Sequence, residues 1–588
     1  MTRERRLIHY ARFGLCALAL AAAGACQPSN PPALARAGGA PPAASTSASS
    51  RFGPSVDAAS AAITGEFLQN QVRRLAADEL EGRGPGTRGD LRARAYLSQQ
   101  LASLGVASGP GAEGWEQPLE LVGLRARLPA AWRFERGTHT VSLALWDQYI
   151  AGSGVQSAHG AIDQAELVFV GYGIEAPEYG WDDFKGQSVK GKVLVVLNND
   201  PDWDPALFAG KTRLYYGRWT YKYENAARHG AAGAIIVHTT PSAGYPYQVV
   251  QSSWGAEQFA LPSNGPTSLQ VKAWVTEDAA RSLVALSGQS LEHLQELARS
   301  RAFAPVQLGI KTSLHFENQL ERVKTANIVG KIAGSDPRLS DEYIVLSAHH
   351  DHLGIGKADA TGDTIYNGAL DNGAGVAQVL AIVKAFQSLP TRPRRSILVL
   401  FPAAEEAGLL GSQYFTEHLP VPAGKIAANL NYDGGNIWGR SRDITQIGTG
   451  KSSLDAIVQQ VAARLNRAVK GDQFPDRGTF YRSDQFNFAK IGVPALYLKT
   501  GTDFIGQPAG WGKEQILEFE AKRYHQPSDQ LAPEWNFDGM VDDARFGFLT
   551  ALELANAERA PTWTPGDEFA AARQAALGAL AHPIPPSH

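Results

Sequence analysis

Five short stretches of this chain place acids and imidazoles where metal-assisted hydrolysis needs them. The first is SAHHDHLG, directly after the apolar run EYIVL. His349 and Asp351 stand two apart, so on extended backbone they point to the same side. A metal-bound imidazole usually gives its other ring N–H to a carboxylate, and a bent His-x-Asp at a strand end can supply both parts. His350 and His352 read as surface groups. The second stretch is NGALDNGAGVAQVL, where Asp371 opens an apolar-periodic helix; taken alone it reads as a helix N-cap. The third is FPAAEEAGLLGS, with Glu405 and Glu406 behind the run SILVLF. Two carboxylates at a strand end can divide the work, one on a metal and one on a proton. Asp433 closes the run IAANLNY, and His525 lies in the Pro-containing loop RYHQPSDQ. Together these supply five candidate metal ligands, two His, two Asp and one Glu, with one Glu to spare. Each stretch alone has an ordinary structural alternative; several of them at predicted strand ends point to one site.

The elements that must position these residues follow from the pattern of apolar runs. Between about Leu320 and Asn556, strand-like DEYIVLSA, RSILVLFPA, KIAANLNYD and VPALYLKT alternate with helix-like VAQVLAIVKAFQSL and SSLDAIVQQVAARL. That alternation predicts an α/β fold, a mainly parallel mixed sheet sandwiched by helices, with chemistry at the C-terminal ends of the strands. The segment from Ala59 to about Gly109 is helical in pattern around the glycine-rich LEGRGPGTRGD, which reads equally as a turn or as the rim of a site. From about 140 to 306, short runs such as AELVFVGYG, KVLVVLNND and AGAIIVHTT, with one helix in YKYENAARHGA, predict a small β-rich inserted domain. The expected organisation is a signal segment over 1–26, a flexible Pro/Ala/Ser linker over 27–58 and the first part of the catalytic domain over 59–139. The insert then spans 140–306, the rest of the catalytic domain 307–559, and a tail 560–588.

Composition narrows the partners. Acids and bases nearly cancel in the 588 residues, leaving a formal charge of −3, so no basic field points to nucleic acid. Both cysteines, Cys16 and Cys26, lie at the N-terminus. A basic start, the run FGLCALALAAAGA and small residues before Cys26 read as a secretory signal, too short for a comfortable membrane span. Ala23-Gly24-Ala25-Cys26 resembles a bacterial lipobox, with Ala23 where leucine is usual. The expectation is an exported protein: periplasmic, anchored in the outer membrane through a lipid on Cys26, or secreted. With no cysteine left after processing, a metal site has only His, Asp and Glu to draw on.

AHHDHLG, NGALDNGAG, EEAGLLGS, NYD and YHQPSD, in that order, resemble the M28 family of zinc peptidases. The resemblance covers the catalytic segment and the N-terminal helices with their GRGPGT loop. The texture of VFVGYGIEAPEYGWDDFKGQSVKGKVLVV and KYENAARHGAAGAIIVH resembles a protease-associated (PA) domain, which also occurs inserted in that family. The resemblance implies a zinc-exopeptidase-like fold, a peptide substrate and two Zn2+ ions per chain. It implies that Asp371 bridges the ions, that His349 and Asp433 complete one, and that Glu406 and His525 complete the other. Glu405 takes the role of general base, Asp351 that of orienting His349, and Asn372 follows a peptide bond that is often cis. The sequence departs from the family at Leu370, where a second acid is common, and at Gln485, where a His is frequent. An aminopeptidase is the expected activity. The alternatives are a glutaminyl-cyclase-like enzyme with one zinc, an exopeptidase of the glutamate carboxypeptidase type, and a non-catalytic binding module as in transferrin receptors. The carboxypeptidase relatives carry a helical domain after the last ligand, whereas here one predicted helix and a polar tail follow His525. Every ligand position is filled, unlike in the receptors.

Overall fold

A computed structural model describes residues 52–581 except 206, 255–256, 264–266 and 268. The predicted signal and lipid-attachment segment lies outside the described residues, as does most of the predicted linker. The part of that linker which is described is already helical: Pro54–Ala61 forms a helix with Pro54 in its first turn, where a missing N–H costs nothing, and Ala59 is buried in the main core.

At the centre of the catalytic sheet lies the strand Tyr343–Ser347. It runs parallel to Ser396–Phe401 on one side and to Ile426–Asn431 on the other. Ile426–Asn431 continues in parallel to Ala495–Thr500, which pairs antiparallel with Asp443–Ile447. On the opposite flank, Ser396–Phe401 pairs antiparallel with the end of the strand Val306–Ile332. The sheet is thus mixed and mainly parallel at its centre. Its strands are apolar runs because both faces are covered. Ile344 and Leu346 pack into one core with helices Gly65–Leu75, Gly375–Gln387 and Asp538–Asn556. Val345, Leu398 and Leu400 face the other way, against Phe415, Phe486 and Phe488. Alternate residues of one strand therefore serve two helical layers, the sandwich read from the sequence.

The inserted segment has a core of its own. Strands His159–Phe169, Val193–Leu197, Gly233–His238 and Val271–Thr276 pair in parallel, in that order, and Tyr149–Ser153 closes the edge antiparallel. Helices Trp219–Arg228 and Glu277–Ala285 accompany them, so the segment carries helices as well as strands. Its limits also differ from those expected at 140 and 306. The hairpin Ala131–Arg136 with His139–Ala144 buries Trp132, Phe134 and Leu143 in the insert's core. The 27-residue strand Val306–Ile332 belongs to both units. Leu308, Ile310, Leu314 and Phe316 serve the insert, while Ile328 and Ile332 serve the catalytic core. An unbroken strand that changes core along its length has no Gly or Pro to mark the boundary.

The predicted tail is a packed element. Trp563 and Phe569 are buried, and the Trp563 indole donates to the Gly492 carbonyl at 2.8 Å. In the helix Ala570–Ala581, Arg573 donates to the Ile426 carbonyl at 2.9 Å. Among the described residues, no helix is long and apolar enough to cross a membrane.

Candidate metal centre

Asp371 sits in an irregular turn, Ala369–Ala374, ahead of the helix Gly375–Gln387. The capping work expected of it is done by its neighbour. The Asn372 side-chain oxygen accepts from the N–H groups of Gly375 and Gly434, and its amide donates to the Tyr432 carbonyl. The peptide between Asp371 and Asn372 is cis. The N–H groups of Leu370 and Asp371 donate to the carboxylate of Asp529, at 2.9 and 3.0 Å. With its backbone held by Asp529, the Asp371 side chain is free to face the cleft.

Asp351 does a related job for the paired acids. Its two oxygens accept from the N–H groups of Glu405 and Glu406, at 3.0 and 3.3 Å. One of them lies 3.6 Å from His349 Nδ1. The side chain expected to orient His349 therefore fixes the Glu405–Glu406 backbone more firmly than it holds the imidazole. Asp433 follows the strand Ile426–Asn431, and its carbonyl accepts from the Tyr497 hydroxyl. His525 adopts a positive φ of 58°, uncommon for a non-glycine residue, and the Tyr524 ring stacks on it at 3.9 Å.

These loops bring all seven residues singled out in the sequence into one cluster, with His349 and Asp351 buried behind the five that line the cleft. His349 Nε2 lies 3.3 Å from one oxygen of Asp371, 3.5 Å from Asp433 and 3.9 Å from Glu405. His525 Nε2 lies 3.3 Å from the other oxygen of Asp371 and 2.9 Å from Glu406. Both Nε2 atoms are buried and make no well-directed hydrogen bond. Buried polar atoms normally find partners; two imidazole nitrogens left among four carboxylates suit cations that would bind both. Neutral imidazole and carboxylate oxygen without sulfur is a donor set that zinc accepts. Proximity also groups His349 with Glu405 and Asp433, and His352 with Asp371 and Glu406.

The electrostatics separate the two adjacent glutamates. Burial pushes the Glu405 carboxyl up, and the charges of Asp433, Glu406 and Asp484 add to this against the pull of His349, so it sits well above the usual carboxylate range. Burial raises Glu406 too, but His525 and His352 outweigh it and hold that carboxyl at about 2. Burial disfavours the His525 imidazolium, yet Glu406 and Asp371 lift it to about 10. One acid is poised to carry a proton while its neighbour stays ionised.

Several contributors escape a reading by motif. His350 and His352, expected at the surface, are buried. His350 lies between Asp90, at 3.3 Å, and the Phe401 carbonyl; His352 Nδ1 lies 2.6 Å from Glu406. The glycine-rich loop carries Arg83, whose guanidinium donates to the carbonyls of Leu75, His350, Asn367 and Gly368. It ties the backs of two site loops together, and its charge faces Asp351, Asp529, Asp371 and Glu406. Replacing Arg83 with Met is expected to cost roughly 3–5 kcal/mol, since buried carbonyls lose their donor and buried acids their counter-charge. Urea denaturation of the two proteins side by side measures it. The flanking glycines were the only signal in the sequence. Gln485 has a structural role: it is buried, donates to the Phe480 carbonyl and accepts from Asn431.

The cluster opens into a cleft of about 500 Å³. Asp371, Glu405, Glu406, Asp433 and His525 line one end, and residues of the insert, among them Trp219, Tyr245 and Trp254, line the other.

Residues 327–549 match Peptidase family M28. A protein named "probable leucine aminopeptidase 2" from Aspergillus oryzae is 26% identical over 265 residues, covering 42% of this chain and 47% of that protein. The protein of the same name from Aspergillus fumigatus is 29% identical over 381 residues, covering 62% of this chain and 66% of its own length. The chain thus spans about half to just under two thirds of these curated relatives. Among solved structures, the aminopeptidase from Aneurinibacillus sp. strain AM-1 is similar over 87% of this chain and 97% of its own, with a TM-score of 0.49 and 17% identity.

Proposed function

We propose, from the match of residues 327–549 to Peptidase family M28, that this chain is a di-zinc aminopeptidase that releases residues from the N-termini of peptides. One observation carries the reading: Asp371 turns one oxygen to each of two buried histidines whose Nε2 atoms are otherwise unbonded. In this reading His349 and Asp433 would hold one ion and Glu406 and His525 the other, with one Asp371 oxygen facing each histidine. Bound zinc supplies Lewis acidity, polarising the scissile carbonyl and making an attacking water more acidic. Glu405, with its raised proton affinity, takes the proton from that water and returns it to the leaving amine nitrogen. Asp351 keeps Glu405 and Glu406 at fixed height through their N–H groups, and Asp529 does the same for Asp371. The names of the Aspergillus relatives support the aminopeptidase direction. The walls contributed by the PA-like insert support a limit on substrate size. The basic start and short apolar run ahead of Cys26 support an exported enzyme, lipid-anchored at that cysteine. A single-zinc cyclase is disfavoured because it leaves one of His349 and Asp433 without a task.

The test is a peptide panel with free and acetylated N-termini, assayed with and without a chelator. Cleavage confined to free N-termini, lost on chelation and restored by zinc, is the expected result. Equal cleavage of acetylated peptides would overturn the aminopeptidase direction. Ammonia release from N-terminal glutamine with one zinc per chain would replace the peptidase by the cyclase.

A further inference from the structure

Glu406 divides its two carboxylate oxygens between two histidines. Oε2 faces His525 Nε2 at 2.9 Å, on the side where His525 also meets Asp371. Oε1 lies 2.6 Å from Nδ1 of His352. His525 belongs to the ligand set of the reading above. His352 has no part in that set, although it is fully buried and close enough to Asp371 and Glu406 to be counted with them as a ligand.

Distances and contacts separate the two roles. Two atoms held tetrahedrally by one zinc, each about 2.0–2.1 Å from it, lie roughly 3.3 Å apart. His349 and His525 each stand 3.3 Å from an oxygen of Asp371. The 2.6 Å between His352 and Glu406 is too short for two ligands of one ion and suits a strong N–H···O bond to a carboxylate. His349 is in ion-pair range of Asp371, Asp433 and Glu405, and His525 of Asp371 and Glu406. Among the described residues, His352 is in range of Glu406 alone. An ionised carboxylate only accepts, so Nδ1 of His352 carries the hydrogen and donates it.

The ring is held in that pose. Its backbone N–H donates to the Arg83 carbonyl at 3.4 Å. The His525 ring meets it edge-on, with centres 5.7 Å apart. Gly368 packs against it so closely that a Cβ there would fall 2.6 Å from His352 Cγ. Nε2 of His352 is buried without a partner. Leaving a buried polar atom unpaired costs about 1–3 kcal/mol, which the bond to Glu406 helps to offset.

We propose that His352 is a positioning residue: its Nδ1–H claims one oxygen of Glu406, presents the other toward His525, and so sets the zinc affinity of the Glu406–His525 site. This rests on the two-zinc reading above. Partners that orient a metal-binding carboxylate typically account for 10–100-fold in affinity. The other site draws on Asp433, whose carbonyl is held by the Tyr497 hydroxyl, so the effect falls on one ion.

The test replaces His352 with Leu and, separately, with Asn in the full-length protein. Zinc is titrated back into chelator-stripped samples against a competing dye. Leu offers no donor. Asn carries its amide nitrogen as many bonds from Cα as Nδ1 and can still donate to Glu406. One of two zinc sites is expected to weaken about 10–100-fold in His352→Leu and to recover most of its affinity in His352→Asn, with the second site unchanged in both. If His352→Leu does not fold, His352→Gln takes its place. Its amide lies one bond farther out, and the same weakening is expected. Unchanged affinities without the donor overturn the proposal. Loss of one zinc from His352→Asn as well overturns it by making His352 a ligand. A single zinc in the unaltered protein defeats the two-zinc reading. If that zinc is weakened by Leu and restored by Asn, the part given to His352 stands; if it is indifferent to both, the two fall together.

Discussion

Glu405→Gln is expected to lower kcat by about 10²–10⁴-fold while zinc stays bound, the range expected when a positioned proton carrier is lost. That is roughly 3–5 kcal/mol of transition-state stabilisation. The pairing of readouts matters because Glu405 lies close enough to His349 and Asp433 to be counted with them as a ligand. The two roles differ in what burial does. A ligand must stay ionised, as Glu406 does beside His525 and His352, whereas Glu405 is pushed toward its protonated form by burial and by neighbouring acids. Glutamine keeps the volume and the hydrogen-bonding oxygen but cannot take a proton. Steady-state kinetics together with metal analysis decides the role. Lost turnover with zinc retained identifies a proton carrier, and loss of one zinc identifies a ligand. Near-normal turnover removes Glu405 from the mechanism altogether.

Asp371→Asn is expected to be more severe. If Asp371 serves both ions, the substitution removes one oxygen ligand from each site, and both zinc occupancies are expected to collapse along with activity. Stability follows by mass action. An ion held at a hundred times its dissociation constant stabilises the folded state by about 2.7 kcal/mol per site. Chelation is therefore expected to lower the melting temperature of the unaltered protein and to leave that of Asp371→Asn almost unchanged. Thermal unfolding with and without chelator measures both. Retention of one full zinc by Asp371→Asn would show that Asp371 serves a single ion, and the shared-carboxylate arrangement would fall with it. His525 offers a weaker version of the same experiment, because His352, 2.6 Å from Glu406, is placed to substitute for it.

The supporting groups differ from the ligands in how they are encoded. His349, Asp371, Glu405, Glu406, Asp433 and His525 are legible because each stands beside an apolar run or in a compact motif, and because their order along the chain follows the order of elements. Asp529 shares a motif with His525, yet nothing in YHQPSD says that its carboxylate holds the N–H groups of Leu370 and Asp371. Asp90 and His350 are separated by 260 residues and meet only because the helix that begins at Arg88 packs beside the strand loops. Arg83 donates to carbonyls, and carbonyls are the same in every sequence, so no spacing can announce such a contact. The limits of the insert were obscured because the strand Val306–Ile332 runs unbroken from one core to the other, with no Gly or Pro between Phe316 and Ile328.

What the sequence by itself determined is the set of elements and the chemical types carried at their ends. Periodicity and apolar runs dictate strands and helices locally, and the absence of cysteine beyond Cys26 restricts the donors. What only the tertiary structure decided is which atoms of those residues converge and which of the two adjacent acids holds a proton more tightly. Those outcomes depend on burial and on distances between residues far apart in the chain. Both are properties of how the layers pack, and a linear pattern does not contain them.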